Sequence, residues 1–249
     1  MKTSKTALLN FLNLLMVRGE IENKDMIIQG TSKQMESLLV SPLKEFCIKG
    51  TLDVEDNFSE AIGIGNINLL KSMLNNFDEE EIAIHKNENK LIMISKNKKL
   101  TQQFCLKDCQ FIKNSLNEKD FEKVLSLGEG NEIILYKPEI EKLLKLNKSM
   151  NSSVFYLKGN KENIDFFFDT NENNILYSFV KKHSENFYVK ISKKLLDLFE
   201  VINLSLKEPE DKITCSMKTD SPIVIKVKNK NYEITYILAQ LMKKEGDKK

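Results

Sequence analysis

The sequence predicts an α+β chain made of two similar halves and unusually rich in antiparallel strand. Three observations carry this. The length, 249 residues, suits two domains that each bury a core. A unit of amphipathic helix followed by a strand hairpin recurs four times along the chain. A polar stretch, LKDCQFIKNSLNEKD, separates the second unit from the third.

The first helix spans Thr6 to Val17 and is followed by a short strand from Glu20 to Asn23, a turn at Lys24-Asp25 and a strand from Met26 to Gln29. The second helix, Ile67 to Phe77, places Ile67, Leu70, Leu74 and Phe77 at helical spacing. It leads into EIAIHKNENKLIMIS, where Ile82 and Ile84 alternate before a turn at Asn87-Glu88-Asn89. Helix three, Pro138 to Lys148, has apolar Ile140, Leu143 and Leu144, with Asn147 as a polar lapse. Pro138 lies in its first turn, where a missing N–H costs nothing. The strands of SVFYLKGNKENIDFFFDT follow, turning at Gly159-Asn160. Helix four, Ser192 to Asn203, precedes KITCSMKTDSPIVIKVK, which turns near Asp220-Ser221. Helices with one apolar face imply packing against one side of large antiparallel sheets. The divisions expected are residues 1–108, a connector at 109–121, and residues 122–249.

Composition removes several classes of function. No apolar run approaches the roughly 20 residues that span a bilayer, so no membrane association is expected. The opening MKTSKTALLNFLNLLMVRG is interrupted by Asn10 and Asn13 and lacks a small-residue cleavage site, so it reads as the first helix rather than a secretion signal. Cys47, Cys105, Cys109 and Cys215 form no disulfide framework or zinc spacing. They read as ordinary buried thiols in a reducing, cytoplasmic protein. His85 and His183 have no partners at motif spacing. Gly63 and Gly65 lack the third glycine and the Lys-Ser/Thr of a phosphate loop and read as strand and turn. Asp78-Glu79-Glu80-Glu81 are consecutive, and consecutive carboxylates do not converge on a cation. No enzyme, metal or cofactor is expected. The net charge of +2, from 38 basic and 36 acidic residues, means that any affinity for nucleic acid depends on where the lysines sit.

The order of units resembles the DNA sliding-clamp family, which includes proliferating cell nuclear antigen and the processivity factors of tailed phages. The resemblance rests on SKTALLNFLNLL followed by DMIIQGTSKQMESLLV, on IGIGNINLLKSMLNN before EEEIAIHKNENKLIMIS, and on the ending DSPIVIKVKNKNYEITYILAQLM. It covers nearly the whole chain in element order. It implies two clamp-fold domains per chain and three chains per ring, with helices lining the hole and sheets forming the rim. The implied partners are double-stranded DNA held topologically, a DNA polymerase, an ATP-dependent clamp loader and two further copies of the chain. A subunit of a heterotrimeric clamp for repair or damage signalling is the alternative. The cytoplasm, or a site of viral DNA replication, is the expected location, and the nucleus if the source is eukaryotic.

Under this resemblance the DNA-facing lysines are Lys5, Lys71, Lys142, Lys145, Lys148, Lys190, Lys193 and Lys194. Lysines attract phosphate without reading sequence. The single arginine, Arg18, ends helix one, so no base-reading arginine is poised on these faces. The positions aligned with the family's partner-peptide pocket are Met35, Leu38, Leu116, Pro222 and Ile237. Gln240 stands where a proline is common, and the lysines after Met242 read as a tail. Subunit contact is expected between the strand holding Leu100, Phe104 and Leu106 and the strand holding Ile175, Tyr177 and Phe179.

Overall fold

The computed structural model describes all residues except 18–23, 42–45, 114–115, 151, 153, 161, 171–173, 181–184, 193, 209 and 241–249. It divides into two units, Met1–Glu118 with Lys228–Thr235, and Lys119–Val227 with Tyr236–Lys249.

In the first unit, strand β1 (Lys2–Ser4) runs directly into helix α1 (Lys5–Met16). The turn is fixed by Ser4, whose hydroxyl accepts the Ala7 amide at 3.1 Å as an N-cap. Apolar residues cover most of α1, and Phe11, Leu12, Leu14 and Leu15 are wholly buried. Four strands follow: β2 (Met26–Thr31), β3 (Gln34–Val40), β4 (Phe46–Asp53) and β5 (Ala61–Ile64). Gly50 of β4 lies under α1, where a Cβ would come within 2.8 Å of the Leu15 and Ile234 side chains. Glycine here lets strand and helix approach closely. Helix α2 (Ile67–Asn75) is capped by Asn66, which accepts the Leu69 amide at 2.9 Å. Strands β6 (Glu81–Asn87), β7 (Lys90–Ser95) and β8 (Thr101–Cys105) complete this stretch of chain.

After helix α3 (Glu118–Leu127) the same order returns. Strand β9 (Asn131–Tyr136) and helix α4 (Lys137–Met150) precede β10 (Val154–Gly159), β11 (Asn163–Asp169), β12 (Asn174–Val180) and β13 (Phe187–Ser192). Helix α5 (Lys194–Ser205) precedes β14 (Lys212–Met217), β15 (Ile223–Lys228) and β16 (Tyr232–Leu238). Each half thus reads strand, helix, four strands, helix, three strands.

The pairing repeats as well. The order β1-β6-β7-β8 recurs as β9-β14-β15-β16, and β5-β2-β3-β4 recurs as β13-β10-β11-β12. The repeat has one asymmetry. Within the first unit, the outer side of β4 is closed by the Tyr232–Thr235 part of β16, with the Asp53 amide donating to Asn231 O at 2.8 Å. The equivalent strands, β12 and β8, each end a sheet.

Several sequence expectations are corrected. The expected strand at Glu20–Asn23 lies outside the described residues. Lys24-Asp25 directly precedes β2, and the hairpin among the described residues is β2–β3, turning at Ser32 with φ 59°. Helix four starts at Lys194, because Ser192 is still paired with Val154 in the β10–β13 ladder. Helix α3 was not expected at all. It buries only Phe121 fully, although Phe121, Val124 and Leu125 do stand at helical spacing, a short signal set among the charges of the connector. The thiols are not uniformly buried either: Cys105 is exposed, while Cys215 is buried, and burial pushes its thiol up to about 12. The IGIGN stretch is strand β5 and the turn after it, as its composition indicates. No described helix is long and apolar enough to cross a membrane.

Candidate nucleic-acid interface and subunit edges

Helix α4 sorts its residues by face. Ile140, Leu143, Leu144 and Asn147 are buried, while Lys142, Lys145 and Lys148 are exposed at spacings of three. Two of these lysines have partners on neighbouring elements. Lys142 Nζ lies 5.9 Å from the centroid of the Tyr177 ring, and Lys148 Nζ lies 3.7 Å from Glu200 Oε1 on α5. Asn147, the polar lapse, is buried with an Oδ1 that no described group satisfies.

The remaining lysines differ in their environments. Lys5 donates its ammonium to Phe77 O at 2.7 Å, and the Lys71 ammonium sits 3.8 Å from Met16 Sδ. Lys190 is on β13, not on a helix, and alternation puts it opposite the buried Val189 and Ile191, on the sheet face away from the core. Its ammonium lies 5.7 Å from the Tyr156 ring centroid. Lys193 and Arg18 lie outside the described residues, and Lys194 opens α5.

The acidic cluster serves structure. Glu80 accepts hydrogen bonds from the Ser4 hydroxyl, the Thr6 amide at 3.0 Å and the Thr6 hydroxyl at 2.7 Å. Partial burial alone would push its carboxyl up, but these bonds and the Lys5 charge outweigh that and hold it below the usual range. Glu81 pairs with Lys96 at 2.9 Å.

The two strands expected to meet a second copy are both sheet edges. Their side chains differ in how far the single chain leaves them exposed. Phe104 and Phe179 are buried within their own unit, and Leu100, Leu106, Ile175 and Tyr177 are half-buried. An edge offers its backbone and its outward side chains, which here are Gln103 and Cys105 on β8, and Leu176 and Val180 on β12, 56% and 84% exposed. The Leu106 amide donates to Asn89 O, and Leu100 O accepts from Ser95. By period two, the amides of Thr101, Gln103 and Cys105 point away from β7.

The pocket residues are likewise sorted by alternation. Met35 and Leu39 of β3 face the core, whereas Leu38 lies on the opposite face. Met35 is therefore core and cannot share a surface with Leu38. Leu116 joins Leu38 through its amide, which donates to Leu38 O at 3.3 Å. Lys49 is paired with Leu38 in the ladder and forms ion pairs with Glu36 and Glu118. In the second unit Pro222 is half-buried before β15, and Ile237 is buried in a strand covered on both faces. Gln240 donates its side-chain amide to Lys218 O at 2.6 Å and to Ser221 O, tying the end of β16 to the β14–β15 turn.

No protein-family model and no curated protein sequence matches the chain. Solved structures do. A structure of A. fulgidus PCNA with the C-terminal region of FEN-1 bound superposes with a TM-score of 0.77 at 14% identity, over 98% of both chains. Proliferating cell nuclear antigen from Entamoeba histolytica gives 0.77 at 13% identity, over 97% of this chain and 98% of that one. The chain has the sliding-clamp fold. The twofold repeat of ten elements is the two-domain plan of that fold, and α3 stands outside the repeat.

Proposed function

We propose that this chain is one subunit of a homotrimeric sliding clamp that encircles duplex DNA and tethers a DNA polymerase and other replication proteins, catalysing no reaction. The observation that carries this is the asymmetry of the repeat. β4 has β16 beside it, while the equivalent β12 and β8 each end a sheet among the described residues. A second copy can supply the missing neighbour, β8 of one chain beside β12 of the next. Such a head-to-tail contact forms a closed ring when its rotation allows. Three chains with two repeats each bring six repeats, the number that the clamp resemblance implies. The α4 lysines then face DNA across the hole, attracting phosphates without reading bases.

Partners would dock near Leu38 and Leu116, as A. fulgidus PCNA, a protein of this fold, has the C-terminal region of FEN-1 bound to it, and an ATP-driven loader would open the ring. The cytoplasm, or a site of viral replication, is the compartment proposed. Light scattering on the purified chain should give a trimer; a monomer would favour the heterotrimeric alternative. Loaded on circular DNA, the protein should survive salt that strips ordinary binders and leave once the circle is cut. Equal retention on cut and uncut DNA, or no gain in primer-extension length, refutes the reading.

A further inference from the structure

The β12-β11-β10-β13 sheet has a second face that the clamp reading leaves unused. Phe155, Phe166, Phe168 and Val189 point into the core, so the residues between them point outward. The register sets Leu176, Phe167, Tyr156 and Lys190 abreast across all four strands. Tyr188 stacks on Tyr156 with centroids 5.7 Å apart and planes at 29°, and Lys190 caps the same ring. Lys158, paired with Tyr188 in the ladder, is exposed. Beside Tyr188 opens a cavity of about 270 Å³ lined by Lys158, Asn160, Asn186, Phe187, Tyr188 and Thr219, where hydrogen-bonding groups and one lysine mix with apolar surface.

We propose that this face is a platform for single-stranded nucleic acid bound without sequence preference. Tyr156 and Phe167 sit on the two central strands of a four-stranded antiparallel sheet whose other face carries the core. That is the placement from which aromatic side chains stack two or three unpaired bases. Any base has a π-face to offer, and adjacent lysines attract the backbone phosphates. Tyr156, Phe167 and Tyr188 set rings beside Lys158 and Lys190 on this face, the pairing of stacking surface with cations that suits a strand of unpaired bases and phosphates. Among the described side chains Asp165 is an adverse charge on this face; its carboxylate accepts the Ser178 hydroxyl at 2.6 Å. The proposal stands apart from ring formation and is tested on the purified chain.

The probe is a labelled oligothymidine of about 12 nucleotides, followed by fluorescence anisotropy at low salt. Binding should saturate, weaken about tenfold or more in Tyr156→Ala, persist in Tyr156→Phe, weaken in Lys158→Glu/Lys190→Glu and tighten in Asp165→Asn. The chain has six tyrosines and no tryptophan, so stacking should also quench tyrosine emission, and less so in a Tyr156→Leu/Tyr188→Leu variant. Circular dichroism identical to wild type shows that a variant is folded. Unchanged affinity in a folded Tyr156→Ala, equal competition by duplex DNA, absence of binding, or preference for an acidic peptide over the oligonucleotide would each overturn the proposal.

Discussion

Glu80 joins the entrance of α1 to the exit of α2, because three groups at the start of α1 donate to its carboxylate. Removing it leaves the Thr6 amide and the Ser4 hydroxyl to water, so Glu80→Ala should lower stability by about 1 kcal/mol. Its folded pKa is depressed below the ordinary 4.5, so its contribution is present above that value and lost as pH falls through the folded one. Urea midpoints of wild type and variant should therefore differ at pH 7 and converge in acid; a gap that persists there contradicts the latch. Gly50 gives a second test. A larger residue would meet Leu15, Ile234 and Phe11, the last at 3.0 Å, and Gly50→Val should cost about 1–3 kcal/mol by overpacking, read as a lower urea midpoint. No drop would mean that α1 can move off β4.

At the scale of elements, the open edges make a directional prediction. Because the Gln103 amide points away from β7, Gln103→Pro removes a donor that only a neighbouring chain could use. It should leave circular dichroism unchanged and convert trimers to monomers in light scattering. Phe104→Pro would instead break the β7 ladder and bury a misfit, so it cannot separate assembly from folding. Val180→Lys on β12 should weaken assembly without unfolding, since the side chain is 84% exposed in the single chain. A trimer that survives both changes rules out the β8–β12 contact. These residues were hidden from sequence because alternation identifies the apolar side of a strand but not whether a neighbour lies beside it.

For the whole molecule, charge placement decides more than charge total. Lys142→Glu with Lys145→Glu should reduce retention on circular DNA while shifting stability by less than about 0.5 kcal/mol per site, as surface changes do. Lys5→Glu is a different experiment, because its ammonium holds Phe77 O; it should lower the thermal midpoint as well. Retention unaffected by the α4 pair would remove these lysines from the DNA path. The salt dependence of retention on an intact circle should be shallow, since linkage rather than phosphate affinity holds a ring.

Local pattern alone marks those helices and hairpins whose signals lie within a few residues. Ile67, Leu70 and Leu74 mark α2, the Glu88 and Asp220 turns take positive φ at 51° and 57°, and the buried Ile82 and Ile84 alternate along β6. Each of these depends on residues a few positions apart, where period and turn chemistry suffice. Tertiary structure decided what depends on distant partners. Met35 and Leu38 are three residues apart in sequence and on opposite faces of β3. Lys190 reads as the approach to a helix but lies in a strand, because β10 pairs with it. Whether β8 and β12 end a sheet follows from which distant strand lies beside each, as Asn231, about 180 residues along the chain, lies beside Asp53, and no local pattern of polarity encodes that.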